Sequence, residues 1–190
     1  MTNPTGHRKR VKHYDELGQA HELTFSCYKR LRLLDDDQRC QRLAAAVDRG
    51  ARRHCFSLLA FVFMPEHVHL IVLPEDPAAR LSDLLQAIKR PVSYRIKQDL
   101  IDAEDPLLAK LTIREQPGKT TFRFWQEGPG YDRNVLDHGT LRAMIDYVHL
   151  NPVRRGLVDR PRDWKWSSWR YYEGDGEAVD AGLPNGRVLI

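Results

Sequence analysis

The chain is poor in cysteine and has no long apolar run. Cys27, Cys40 and Cys55 are its only thiols, and no two of them form a Cys-x-x-Cys pair. That argues against a disulfide framework or a thiolate zinc site and leaves the three as small buried filler. No stretch approaches the roughly 18–20 apolar residues of a membrane span. Residues 1–12 are polar and basic and lack the apolar core of a secretory leader, so a cytoplasmic protein is expected. Internal repeats, low-complexity tracts and domain linkers are also missing, so one domain should account for most of the length.

What is present is ordinary for a folded domain: 42% hydrophobic and 29% charged residues. The net charge is +4, a mild lean towards a polyanionic partner. Its distribution says more. Basic residues gather at Arg8, Lys9 and Arg10, at Arg52-Arg53, at Lys89 and Arg90, at Arg95 and Lys97, at Arg154 and Arg155, and around Arg162. Any one cluster is most simply a solvated face.

Patterning gives the order of elements. Glu22 to Tyr28 alternates as a strand, and Asp35 to Arg53 carries apolar residues at helical spacing after an acidic start. Phe56 to Met64 is a continuous apolar strand, and after Pro65-Glu66 the run His67 to Leu73 resumes as its antiparallel partner. Leu81 to about Leu100 is a second helix, with Ser82 as cap and a kink or a break near Arg90 expected from Pro91. Residues 102–121 form an excursion. Phe122 to Gln126 reads as the last strand, with Tyr131 to Val135 a short continuation. Leu141 to Leu150 is a third helix, ended by Asn151-Pro152. Strand–helix–strand–strand–helix–strand is the order of a ferredoxin-like α+β sandwich, an antiparallel sheet with helices packed on one face. The expected division is a mobile basic arm over 1–20, a catalytic domain over 21–172 and a tail over 173–190.

The chemistry centres on two histidines. His67 and His69 are two apart on a strand, so their imidazoles share a face while Val68 points to the opposite layer. Imidazole nitrogens suit divalent transition-type ions, and a site with open positions can polarise a phosphate oxygen. An isolated His-x-His is more often a pair of satisfied polar groups; here the surrounding strands are strongly apolar, where unused imidazoles would be costly. On the next helix, Tyr94 and Gln98 are four apart and share a face. Gln98 offers a third ligand oxygen and Tyr94 a nucleophile, whose phenol needs a neighbouring cation to act near neutral pH. A lone helical tyrosine is usually a packing residue. Tyr147 is most simply explained by packing, and His149 as structural. The tail aromatics Tyr171 and Tyr172 either anchor the tail or stack on bases. Three readings stand on these residues: a tyrosine nuclease, a metal hydrolase that activates water, and a non-catalytic nucleic-acid-binding module.

Several ordered motifs resemble one family. Phe63-Met-Pro-Glu-His-Val-His-Leu-Ile-Val72, Lys89 to Gln98, Phe124-Trp-Gln126, Tyr147-Val-His-Leu-Asn-Pro-Val-Arg154, Gly156-Leu-Val158 and Trp166-Ser-Ser168 together resemble the REP-associated tyrosine transposases, a branch of the His-hydrophobic-His nuclease superfamily. The resemblance implies a ferredoxin-like fold, Mg2+ or Mn2+ at His67, His69 and Gln98, and Tyr94 as nucleophile. It also implies single-stranded or hairpin DNA as substrate, a 5′-phosphotyrosyl intermediate resolved by a 3′-hydroxyl, and a monomer or homodimer. DNA contacts are expected from Arg8, Lys9, Arg10, Lys89, Arg90, Arg95, Lys97, Arg154, Arg155 and Arg162. Two departures stand out. Glu66 occupies a position where Asn is common, and the 102–121 excursion is longer than usual.

Overall fold

The computed structural model describes residues 18–128, 130–135 and 137–173. The expected arm residues Arg8, Lys9 and Arg10, and the tail beyond Glu173, lie outside them. Helix α1 (Asp37–Arg53) follows β1 (Ala20–Ser26), and the antiparallel pair β2 (Phe56–Met64) and β3 (His67–Pro74) comes next. Then come α2 (Leu81–Asp102), the short α3 (Leu107–Leu111), the hairpin β4 (Thr112–Gln116) and β5 (Lys119–Phe122), β6 (Tyr131–Val135), α4 (His138–Arg154) and α5 (Trp169–Tyr172).

The main sheet has four strands in the order β2-β3-β1-β6, every pair antiparallel, which is the ferredoxin-like arrangement. Its two faces are both apolar. Leu23, Phe25, Phe63, Val68, Leu70 and Val72 form one core with α1 and α2. Leu59, Val62, Met64 and Ile71 form a second core with Met144, Ile145 and Val148 of α4. The expectation of helices on one face is therefore corrected. All nine residues of β2 are buried, so the sheet presents apolar side chains both ways and needs a layer on each side. That second layer decides where the chemistry sits.

Local rules account for most helix ends. Asp36 caps α1 by accepting from the Arg39 N–H at 2.8 Å, and Asp137 caps α4 by accepting from Thr140 N–H at 2.9 Å. Gly50 allows the close approach of α1 to α2, since a Cβ there would lie 3.2 Å from Ile88. Ser82 does not cap α2; the N-cap is Arg80, with no side-chain cap bond. Nor does Pro91 break the helix, because Leu84, Leu85, Ile88, Val92 and Ile96 seat the turns on both sides of it in the core. Likewise α4 runs through Asn151 and Pro152 to Arg154. Proline there forfeits one hydrogen bond near the helix end, and Gly156 (φ +65) closes the helix, with Leu157 N–H donating to Pro152 C=O at 3.0 Å.

The expected strand Phe122 to Gln126 is not the sheet's fourth strand; β6 is. Phe124 and Trp125 instead pack edge-to-face at 4.7 Å, Trp125 meets Phe25 at 5.1 Å, and a single bridge joins Trp125 to Cys27. The 102–121 excursion folds as α3 and the β4–β5 hairpin. Two thiols are filler as expected, Cys27 and Cys40 being buried, but Cys55 is exposed. The tail tryptophans are anchors. Trp164 donates to Phe63 C=O at 3.0 Å, Trp166 to Asp37 at 2.8 Å, and Tyr172 to Leu59 C=O at 2.6 Å, which covers the outer edge of β2.

Gly130 sits between β1 and β6 at φ +84, where an added Cβ would collide with the Thr24 carbonyl oxygen. Gly130→Ala should therefore cost about 1–3 kcal/mol of stability. Urea unfolding followed by circular dichroism should show the midpoint falling by roughly 1 M; an unchanged midpoint would mean that β6 pairs less tightly than described.

Candidate active site beneath helix α4

The alternation of β3 decides which layer each side chain meets. Val68, Leu70 and Val72 point into the α1–α2 core, so His67, His69 and Ile71 point to the α4 side. The two imidazoles are nearly buried, at 5% and 6% exposure, and their Nε2 atoms face each other at 3.0 Å. Two metal–nitrogen bonds of about 2.1 Å at roughly a right angle span about that separation. Behind each ring the Nδ1 has its own partner: Glu66 Oε1 at 3.1 Å for His67, and Thr24 Oγ1 at 2.9 Å for His69.

This backing has electrostatic meaning. A carboxylate only accepts, so His67 Nδ1 carries the proton and His67 Nε2 presents a lone pair towards His69. Glu66 is in turn held by Arg155 at 2.9 Å. Burial pushes the His67 pKa down against the pull of Glu66; burial, then His67 and Arg30, push His69 down to about 3. Both rings are thus neutral at physiological pH, which is the form that ligates. Glu66 and Glu22, whose Oε1 lies 3.8 Å from His69 Nδ1, stand behind the rings rather than between them. Among the described residues no cluster of three or more His, Cys, Asp and Glu is placed to hold an ion. A third donor from the described residues would be of another type.

Helix α4 supplies one. Asn151, buried to 7% exposure, places its carboxamide nitrogen 3.4 Å from His69 Nε2, and a half-turn of that amide presents the oxygen instead. One turn earlier on the same face, Tyr147 meets the His69 ring edge-on at 6.2 Å. Its ring is 44% exposed and lies under the Arg154 guanidinium, 4.7 Å from the centroid. A cleft of about 590 Å³ opens beside them, lined by Glu22, Thr24, His69, Tyr131, Arg133 and Tyr147 among others. Burial raises the Glu22 pKa, and Arg133 opposes that shift.

The expected convergence of Tyr94 and Gln98 on the histidines is corrected by the same alternation. Both are on α2, whose apolar face packs against Val68, Leu70 and Val72. The sheet stands between them and the imidazole pair. Tyr94 is 65% exposed and lines a different cleft with Lys89, Pro91 and Trp125. The expected basic contacts divide accordingly. Arg154 and Arg155 border the histidines; Lys89, Arg90, Arg95 and Lys97 belong to α2 on the other side; Arg162 is tied to Glu173 at 3.0 Å. The sequence reading passed over Asn151, Thr24 and Arg30. Tyr147 and Asn151 carried a signal, being four apart on one helix as Tyr94 and Gln98 are. Thr24 and Arg30 carried none.

Comparison with known proteins bears on this arrangement. Over 129 residues the chain is 26% identical to a Haemophilus influenzae protein provisionally named a REP-associated tyrosine transposase, covering 66% of this chain and 65% of that one. Over 130 residues it is 29% identical to the REP-associated tyrosine transposase of Escherichia coli K12, covering 68% and 64%. The aligned part thus spans just under two thirds of either relative. A solved REP-associated tyrosine transposase bound to a REP hairpin superposes with a TM-score of 0.66 at 20% identity, over 95% of this chain and 93% of that one, which establishes the shared fold. Residues 18–149 match the sequence model of the family described as "Transposase IS200 like", a span that takes in the whole sheet, both imidazoles and Tyr147, and the chain belongs to that family.

Proposed function

We propose that this protein is a DNA endonuclease and strand transferase that cuts and rejoins single-stranded or hairpin DNA through a 5′-phosphotyrosine, with Tyr147 as nucleophile. The observation that carries the reading is the convergence of His67 Nε2, His69 Nε2, the Asn151 carboxamide and the Tyr147 ring at one point beneath α4. His67, His69 and Asn151 would hold a divalent ion, Mg2+ or Mn2+. Bound there, it supplies Lewis-acid polarisation of the scissile phosphate.

The chain's own groups do the rest. Glu66 and Thr24 fix the two ring orientations from behind. Arg154, over the Tyr147 ring, and Arg155, beside Glu66, offer positive charge to the phosphate. Tyr147 Oη attacks phosphorus and gives up its proton. The 3′-oxygen leaves as a 3′-hydroxyl, and the 5′ end stays esterified to the protein. Attack by a 3′-hydroxyl on that ester reforms the phosphodiester and returns the phenol. The relatives' names, and the neighbour solved with a REP hairpin, support DNA as the substrate.

The test is to trap the adduct. A 5′-extended hairpin oligonucleotide is incubated with the protein and Mn2+, and the product is digested and mapped by mass spectrometry. The nucleotide should be found on the peptide containing Tyr147. A nucleotide on Tyr94, or cleavage with no covalent species, would sink the assignment; the second result would favour water as nucleophile.

Glu66 yields a separate prediction. Removing the acceptor behind a ligating imidazole typically costs 10- to 100-fold in metal affinity. Glu66→Ala should weaken Mn2+ binding, measured by calorimetry, by about that factor, while Glu66→Gln should recover part of it because its carboxamide oxygen still accepts.

A further inference from the structure

On the far side of the sheet, α2 and the β4–β5 hairpin enclose a cleft of about 910 Å³ that the proposed reaction does not use. Its floor is aromatic: Phe122, Phe124 and Trp125, with Trp125 Nε1 donating to the Lys89 carbonyl at 3.0 Å. Its rim is cationic. Lys89, Arg90, Lys97 and Arg123 line it against only Glu115 and Glu127, and both acids are held by Arg123 at 2.6 Å. Lys89 sits over the Phe25 ring at 5.2 Å and donates to the Gly128 carbonyl at 3.4 Å, and burial lowers its pKa.

The cleft does not end there. At Arg90 and Pro91 it meets a second hollow of about 690 Å³ that Arg49, Arg53 and His54 line between α1 and α2. None of Arg49, Arg53, Arg90 and Lys97 forms an ion pair with a described residue. Tyr94 lines the first of these hollows, with 65% of its surface exposed and no hydrogen bond to a described residue. An exposed ring among unpaired cations, above an aromatic floor, is the combination that holds single-stranded nucleic acid: cations follow the phosphates, rings take the bases. A duplex would hide the base faces that Tyr94 could stack on.

The geometry points to a second DNA site on the α1–α2 face, in which Arg53, Arg90 and Lys97 track the backbone of a single strand and Tyr94 stacks on one of its bases. The inference rests on the proposed function only in taking DNA as the ligand. The cleavage centre lies on the other side of the sheet, so this surface would hold a stretch of strand flanking the segment being cut. Its wall is built from the excursion after α2, which gives that insertion a role.

The probe is a fluorescein-labelled 15-nucleotide thymidylate, which forms no hairpin, bound to the full chain with chelator present and followed by anisotropy. Tyr94→Ala should weaken binding roughly 5- to 150-fold, the usual worth of one base–aromatic stack, and Tyr94→Phe should restore it. The pair Arg90→Gln and Lys97→Gln should lower the slope of log affinity against log salt by about 0.7 for each phosphate that is no longer neutralised. Equal affinity in Tyr94→Ala and the parent, or a Tyr94→Phe no better than Tyr94→Ala, would overturn the site. Cleavage with no covalent species would instead sink the tyrosine-nuclease reading and leave this binding result standing, whereas an adduct on Tyr94 would overturn both.

Discussion

Tyr147→Phe should abolish the covalent protein–DNA adduct and lower strand cleavage by roughly 10³-fold or more, while Tyr94→Phe cleaves at close to the parent rate. The contrast follows from location. Tyr147 lies edge-on to His69 at 6.2 Å, with Asn151 one turn further along α4 and Arg154 over its ring. Removing its hydroxyl removes the atom that would bond to phosphorus, and nothing else in that cleft replaces it except Tyr131, which comes from the sheet edge and is 51% exposed. Phenylalanine keeps the ring and its stacking under Arg154, so binding of the oligonucleotide should change little. A rate split of about 10³ corresponds to roughly 4 kcal/mol in the barrier, far more than a packing change at a half-exposed ring can give. Denaturing electrophoresis of both variants beside the parent measures it. A Tyr147→Phe protein that still forms the adduct would return the search to the other tyrosines.

The second large effect concerns the imidazole pair. Mn2+ at about a hundred times its dissociation constant should stabilise the folded protein by about 2.7 kcal/mol, since the site does not exist in the unfolded chain. For a chain of this size that is a rise in Tm of roughly 5–10 °C. In His69→Ala the rise should vanish, and the adduct with it. In Asn151→Ala it should shrink, because two nitrogens remain. The pKa of His69 near 3 has a consequence for pH: protons compete for that ring only well below the range of an ordinary histidine, so the Mn2+ shift should persist when the pH is lowered from 7 to 6. Differential scanning fluorimetry with and without the ion reads all of these. An equal shift in the parent and His69→Ala would place the ion elsewhere.

How much of this was legible in the sequence depends on the layer considered. The order of elements from the first strand to the second helix was, because Phe56 to Met64 and His67 to Leu73 are apolar runs of strand length parted by Pro65-Glu66, and the shared face of His67 and His69 follows from the strand's alternation alone; the fourth strand and the β4–β5 hairpin were not. The choice of tyrosine was not. The chain contains two tyrosine–carboxamide pairs at helical spacing, Tyr94 with Gln98 and Tyr147 with Asn151, and spacing cannot rank them. What ranks them is which helix covers which face of the sheet, a long-range fact. Assuming all helices on one face made α2, the next helix in the chain, the natural partner of β3. The unbroken burial of β2 was the clue that both faces would be roofed. A second obstacle was Asn151-Pro152, a pair that reads as a helix stop. Because α4 continues to Arg154, Asn151 stays in helical register with Tyr147 instead of leaving on a loop. The resemblance of motifs was read as placing the nucleophile at Tyr94, whereas the tyrosine that faces the histidines is Tyr147.

Helix α4 does two jobs with one set of turns. Met144, Ile145 and Val148 cover half of the sheet, and Tyr147 and Asn151, interleaved among them, look towards the histidines. Swinging that helix aside would strip the roof from one of the two cores. The phenol is therefore as firmly seated as the fold itself, and if it forms the ester proposed here, the exchange between cutting and joining must be carried out by the travelling ends of the DNA.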